Sequence, residues 1–146
     1  MRNRSMALVV RNKSILLVRE KIDGREFYTL PGGGIENNET PEEAALRELK
    51  EECGLEGTIV KPLCINYRRD GSMEYTFWIN VSDNQKSIVG KDPEEDDDNQ
   101  IIMDVKWIAI NDLSEKDRAF LWSYGLMDIN DFGKRLLAGE MLLVIL

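Results

Sequence analysis

The sequence predicts an α/β fold, a sheet carrying helices on both faces, on three observations. Short β-prone apolar segments separated by tight-turn signals recur from Ser5 to Ile110. One intervening segment, Thr40 to Cys53, has helical spacing and well-formed ends. Further helical material is expected after Asn111. Few helices among several strands point to a layered α/β arrangement rather than a bundle or a barrel. At 146 residues, a single domain spanning 1–146 with a proper core is expected.

Taken in order, Ser5 to Val10 and Ser14 to Val18 are apolar and β-prone, and Arg11-Asn12-Lys13 between them reads as a hairpin turn. Glu20 to Glu26 reads as a charged loop turning at Asp23-Gly24. Phe27 to Leu30 resumes an extended segment, which Pro31-Gly32-Gly33-Gly34 stops. Thr40 is a natural N-cap, Pro41 suits the first helical position, and Glu43 completes a capping box. Gly54 is placed to end that helix after Cys53.

Strands are expected over Thr58 to Tyr67 and Glu74 to Val81, joined by a turn containing Asp70-Gly71. Asp83 to Gln100 reads as a polar loop whose acidic run, Glu94 to Asp98, is solvated. Ile101 to Ile110 is a further strand. Asn111 or Ser114 caps short helical material reaching Trp122, and Asp128 to Ala138 forms a last helix.

Composition narrows the chemistry. The formal net charge is −8 with no basic stripe, which disfavours polymeric nucleic acid as a partner. No apolar run is long enough to span a membrane, and the N-terminus shows no signal core. Cys53 and Cys64 form neither a disulfide framework nor a zinc pattern, so a reducing cytoplasmic setting is expected. The chain has no histidine, which removes Ser-His-Asp and Cys-His arrangements. Carboxylates, a metal ion and water are the tools that remain. The apolar end Met141 to Leu146 is either packed into the domain or part of a subunit contact, which leaves a homodimer open.

The Thr40–Cys53 helix supplies those carboxylates. At about 100° per residue, Leu46, Leu49 and Cys53 share one face and Glu48, Glu51 and Glu52 nearly the opposite one. Such a face repels itself when ionised, and a hard cation such as Mg²⁺ converts the repulsion into coordination. The competing reading is an ordinary solvated acidic face.

Context favours the metal. Gly33, Glu39, Arg47-Glu48-Leu49, Glu51-Glu52 and Gly54-Leu55 match every fixed position of the Nudix box, a specific motif covering 23 of the 146 residues. The Tyr28-Thr29-Leu30-Pro31-Gly32-Gly33 lead-in agrees with it. The chain therefore resembles the Nudix hydrolase superfamily. That resemblance implies an α/β/α sandwich around a mixed β-sheet, and Mg²⁺- or Mn²⁺-dependent cleavage of a nucleoside diphosphate linked to another group.

By the same resemblance Glu48, Glu51 and Glu52 are metal ligands, with Glu48 favoured as general base, and Arg47 pairs with Glu39. Gly32, through its carbonyl, and Asp104 are further candidate metal ligands. Arg19 is a candidate for phosphate contact and Tyr28 for stacking on a base, against surface and core roles respectively. Subgroup markers for NADH, ADP-ribose and dinucleoside polyphosphate cleavage are missing. Elimination leaves a (d)NTP pyrophosphohydrolase releasing a monophosphate. ADP-ribose or nucleotide-sugar cleavage is the alternative, ahead of a non-catalytic nucleotide sensor or an isomerase on the same fold.

Overall fold

The computed structural model describes residues 2–88, 90 and 101–125. In order these form β1 (Arg4–Leu8), β2 (Val10–Arg11), β3 (Ser14–Ile22), β4 (Arg25–Thr29), β5 (Gly32–Gly34) and α1 (Pro41–Cys53). There follow β6 (Gly57–Tyr67), β7 (Met73–Val81), β8 (Ile101–Ala109), a 3₁₀ turn (Ile110–Asp112) and α2 (Glu115–Ser123). One sheet has the order β5-β1-β7-β6 and is mixed, because β1 and β7 run parallel. The other is antiparallel, with β3 paired to β2, β4 and β8.

Alternation along β1 divides the core in two. Met6 and Leu8 pack with Ile15, Leu17, Leu30 and, from the end of the chain described, Leu121 and Tyr124. Ala7 and Val9 pack with Leu16, Val18 and, from α1, Ala45, Leu49 and Cys53. The helices thus cover opposite faces, the expected α/β/α layering. Ser114 caps α2, its Oγ accepting from the Asp117 amide at 3.1 Å.

Three local expectations are corrected. Ser5–Val10 and Ser14–Val18 do not form one hairpin. The expected hairpin turn does form at Asn12 and Lys13, φ 51° and 66°, but its first strand is short: Val10–Arg11 pairs with Ser14–Ile15, and the Val9 carbonyl accepts from the Leu16 amide at 3.0 Å. The chain changes sheet at Val9, because β1 finds partners on both edges in β5 and β7. Glu20 to Glu26 is not a loop. β3 runs to Ile22, β4 starts at Arg25, and only Asp23-Gly24 turns, at φ 49° and 81°. Both turns have the left-handed pair of residues that matches strand twist, and the Lys21–Glu26 cross-strand position accommodates opposite charges. The glycine run is not merely a turn either: Gly32, Gly33 and Gly34 pair with Met6, Ser5 and Arg4 as strand β5.

The acidic run 94–98, the helix expected over 128–138 and the apolar end 141–146 lie outside the described residues. Among the described residues no helix is long and apolar enough to cross a membrane.

Candidate active site

The site begins with how α1 is anchored. Thr40 Oγ1 accepts from the Glu43 amide at 3.1 Å, and Glu43 Oε1 accepts from the Thr40 amide at 3.0 Å. At the other end Gly54 adopts a left-handed conformation at φ 69°, and its amide donates to the Lys50 carbonyl. The Ile88 and Gly90 amides donate to the carbonyls of Cys53 and Glu52, both at 2.8 Å, closing the helix terminus. With both ends fixed and Leu49 and Cys53 in the core, the opposite face has a defined direction.

That face lies under β5. Glu48 and Glu52 are 1% and 0% exposed, so the solvated-face reading does not describe them. The Gly32 amide donates to Glu52 Oε1 at 2.7 Å. A Cβ at Gly33 would collide with the Glu48 carboxylate, so glycine is what lets the strand lie this close. Glu51 is more open, its side chain 32% exposed.

Arg47 ties the site together. Its Nε and Nη2 donate to Glu39 at 2.7 and 3.0 Å, a two-pronged pair, and Nη2 also donates to the Gly34 carbonyl at 2.9 Å. Its Nη1 donates to Glu48 Oε1 at 2.9 Å and Glu51 Oε2 at 3.1 Å. Glu39 in turn accepts from the Glu36 amide at 3.0 Å, which fixes the loop between β5 and α1. The hydrogen bond from Arg47 holds the Glu39 carboxyl below its usual range against the opposing effect of burial. The same bond raises the Arg47 guanidinium, which stays charged.

One guanidinium therefore faces the carboxylates of Glu39, Glu48 and Glu51, with Glu52 one turn beyond Glu48. Among the described residues no three Cys, Asp or Glu side chains already form a cage around one point, since Glu48 and Glu51 both turn to Arg47. The donor set nevertheless fits a hard divalent cation: carboxylate oxygens concentrated on one helix face, with more negative charge than one arginine balances.

The remaining candidates lie elsewhere. Arg19 in β3 stands between Tyr28 of β4 and Asp104 of β8 in the antiparallel sheet. Arg19 pairs with Glu26 at 3.7 Å. Tyr28 packs against the core cluster on the α2 side. Asp104 accepts from the Val105 amide at 2.8 Å and lies 3.7 Å from Lys106 Nζ. Gly32 meets Glu52 through its amide.

Sequence reasoning missed a cavity of about 420 Å³ lined by Arg4, Met6, Glu20, Phe27, Glu74 and Tyr124, among others. Its walls come from β1, β3, β4, β7 and the residue after α2, so no local motif announces it. The available signal was the alternation Leu16, Val18, Glu20, which puts a carboxylate at the buried spacing of an apolar strand. Within the cavity Tyr124 donates its hydroxyl to Glu74 Oε1 at 3.3 Å, and Arg4 Nε lies 3.9 Å from Glu74 Oε2. Burial, reinforced by the Glu74 charge, pushes the Tyr124 hydroxyl up to about 12. Arg4 and Met6 of this wall pair in register with Gly34 and Gly32, whose backbones contact Arg47 and Glu52. Cavity and carboxylates are thus joined through two adjacent strands, about 4.8 Å apart.

Comparisons agree with this architecture. The chain is 31% identical over 112 residues to a Caenorhabditis elegans protein that bears the name nudix hydrolase 1, covering 73% of this chain and 28% of the other. It is 59% identical over 32 residues to the 8-oxo-dGTP diphosphatase of Proteus vulgaris, covering 22% of this chain and 29% of that one. The chain thus spans less than a third of either curated relative. In fold it resembles the crystal structure of a MutT NUDIX hydrolase from Burkholderia pseudomallei, with a TM-score of 0.60 at 24% identity over 77% of this chain and 86% of that one. The NUDIX domain family matches residues 1–128, and the chain belongs to that family.

Proposed function

We propose that the chain is a metal-dependent hydrolase that cleaves the diphosphate linkage of a nucleoside diphosphate joined to another group. The observation that carries this reading is the face of Glu48, Glu51 and Glu52, two of them buried, beneath a strand made only of glycine. Glu48, Glu51 and Glu52 would hold Mg²⁺ or Mn²⁺, with the Gly32 carbonyl and Asp104 as further candidate ligands. When bound, the cation supplies charge neutralisation at the phosphate oxygens and lowers the pKa of water.

The chain's own residues do the rest. Glu48 accepts the proton of the attacking water as general base, while the water oxygen bonds to one phosphorus of the diphosphate and the bridging P–O bond breaks, its electron pair leaving with the other half of the linkage. Arg47 acts by position: it holds Glu39, the Gly34 carbonyl, Glu48 and Glu51 in one arrangement. Gly32 to Gly34 present backbone without side chains, which lets a phosphate approach closely.

A (d)NTP cleaved to the monophosphate and pyrophosphate is the leading substrate. The Proteus vulgaris relative, named for a nucleoside triphosphate, supports that choice. The net charge of −8 favours a small substrate over polymeric nucleic acid. ADP-ribose or a nucleotide sugar is the second reading, because Glu20 and Glu74 in the cavity could also accept from sugar hydroxyls. The test is a panel of nucleoside triphosphates, ADP-ribose and nucleotide sugars with Mg²⁺ or Mn²⁺, with products identified. A nucleoside monophosphate and pyrophosphate from at least one triphosphate is expected. Inactivity across the panel with either metal overturns the reading.

A further inference from the structure

β6 is the outer strand of the mixed sheet, since among the described residues it pairs with β7 alone. Beside it lies a groove of about 470 Å³ lined by Ile59, Pro62, Leu63 and Ile65 of β6 and by Tyr75 and Phe77 of β7. Its far wall is the first turn of α1 at Pro41 and Glu42, where the Ser5 hydroxyl donates to the Pro41 carbonyl at 2.7 Å. Among the described residues, Glu42 is the only charged one lining the groove. Ile65 is 48% exposed, and Val60 and Tyr67 on the same strand are exposed as well. An apolar surface of this kind marks a contact site.

Another strand added to the edge does not provide the cover. Pro62 lacks an amide hydrogen, and the β6 ladder shifts register between Ile59 and Lys61 and again between Pro62 and Cys64. A proline and two irregularities blunt an edge against further pairing. An apolar segment laid into the groove fits better, and the chain itself delivers one. Gly125, where the described residues end, sits on β6: a Cβ there would fall 2.7 Å from that of Leu63. Leu63 lines the groove, so the chain leaves at its rim. The NUDIX match ends at residue 128, and residues 129–146 lie beyond it. They include Met141-Leu142-Leu143-Val144-Ile145-Leu146, an unbroken uncharged apolar run. The 15 residues 126–140 reach about 22 Å even if wholly helical. Ile59 and Ile65 lie within about 14 Å of Leu63 along the strand.

We propose that residues 141–146 fold back over the groove of their own chain, fastening β6 to the first turn of the helix that carries the glutamates. A second copy is the weaker competitor for the same surface. A tethered segment meets the groove at an effective concentration in the millimolar range, far above that of another molecule in dilute solution.

Methyl-labelled NMR on the full chain tests this. In a mixture of two differently labelled batches, nuclear Overhauser contacts between Ile59 or Ile65 and residues 142–146 should arise within one chain and not between chains. Amides of residues 142–146 should exchange hydrogen at least about tenfold more slowly than in the unfolded chain. Ile65→Asp should return them to the unfolded rate while the amides of β1 keep theirs. Contacts found only between chains would make the groove a subunit interface and overturn the proposal. Absence of any contact between the run and the groove overturns it even if Ile65→Asp does not fold. Protection that survives in folded Ile65→Asp also overturns it, because the run then packs elsewhere.

Discussion

Arg47 makes five hydrogen bonds to four partners, and no other basic residue can reproduce that pattern. A lysine has no planar fork with which to grip Glu39 while reaching Glu48 and Glu51. Arg47→Lys should therefore cost about 2 kcal/mol or more in urea unfolding, since it leaves half-buried carboxylates underpaired, and should lower turnover as well. Unchanged stability would contradict the positioning role. Glu52 offers a cleaner separation of fold from chemistry. Its Oε1 accepts from the Gly32 amide, a bond glutamine can keep while losing the charge a cation needs. Glu52→Gln should keep the native circular dichroism spectrum and lower turnover by about two orders of magnitude. Asp104 is tied to Val105 and Lys106 along its own strand, so Asp104→Asn should cost less than Glu52→Gln. An equal loss would move Asp104 among the ligands.

At the scale of elements, α1 and β5 work as a pair whose spacing depends on missing side chains. A methyl at Gly33 would have to displace the Glu48 carboxylate, which Arg47 and burial hold. Gly33→Ala should lower kcat about tenfold or more, because small displacements of catalytic groups are costly. Gly24→Ala is the control: φ is 81° but no atom crowds the position. It should cost about 1 kcal/mol of stability and leave kcat unchanged. Equal kcat values for the two variants would show that the glycine strand sets no distance.

The same pair shows what could be read in the sequence. Capping, Gly54 and the glutamate face of α1 depend on residues within a few positions of one another, so they were legible. The strand character of Gly32–Gly34 depends on pairing with β1, some thirty residues earlier, and three glycines have no strand propensity to announce it. Glu20 to Glu26 looked like a loop because its charges hid a ladder that continues past the main core.

Over the whole molecule, two core clusters on opposite faces of the strands hold α1 and α2 apart, and β1 contributes to both. This places the cavity wall and the strand covering the carboxylates side by side, although their residues lie far apart in the chain. The layered class was legible from the mixture of elements and from the resemblance. The cavity was not, because it exists only once several strands and the residue following α2 come together. The proposed hydrolysis depends on a divalent cation held by the glutamate face. Its most direct test is calorimetric titration of metal-free protein with Mn²⁺, with (d)NTP hydrolysis measured at each occupancy. The wild-type chain should bind Mn²⁺ and show activity that rises with occupancy and disappears on chelation, while Glu52→Gln should bind far more weakly. Hydrolysis that persists without divalent cation, or Mn²⁺ binding unchanged in folded Glu52→Gln, would contradict it.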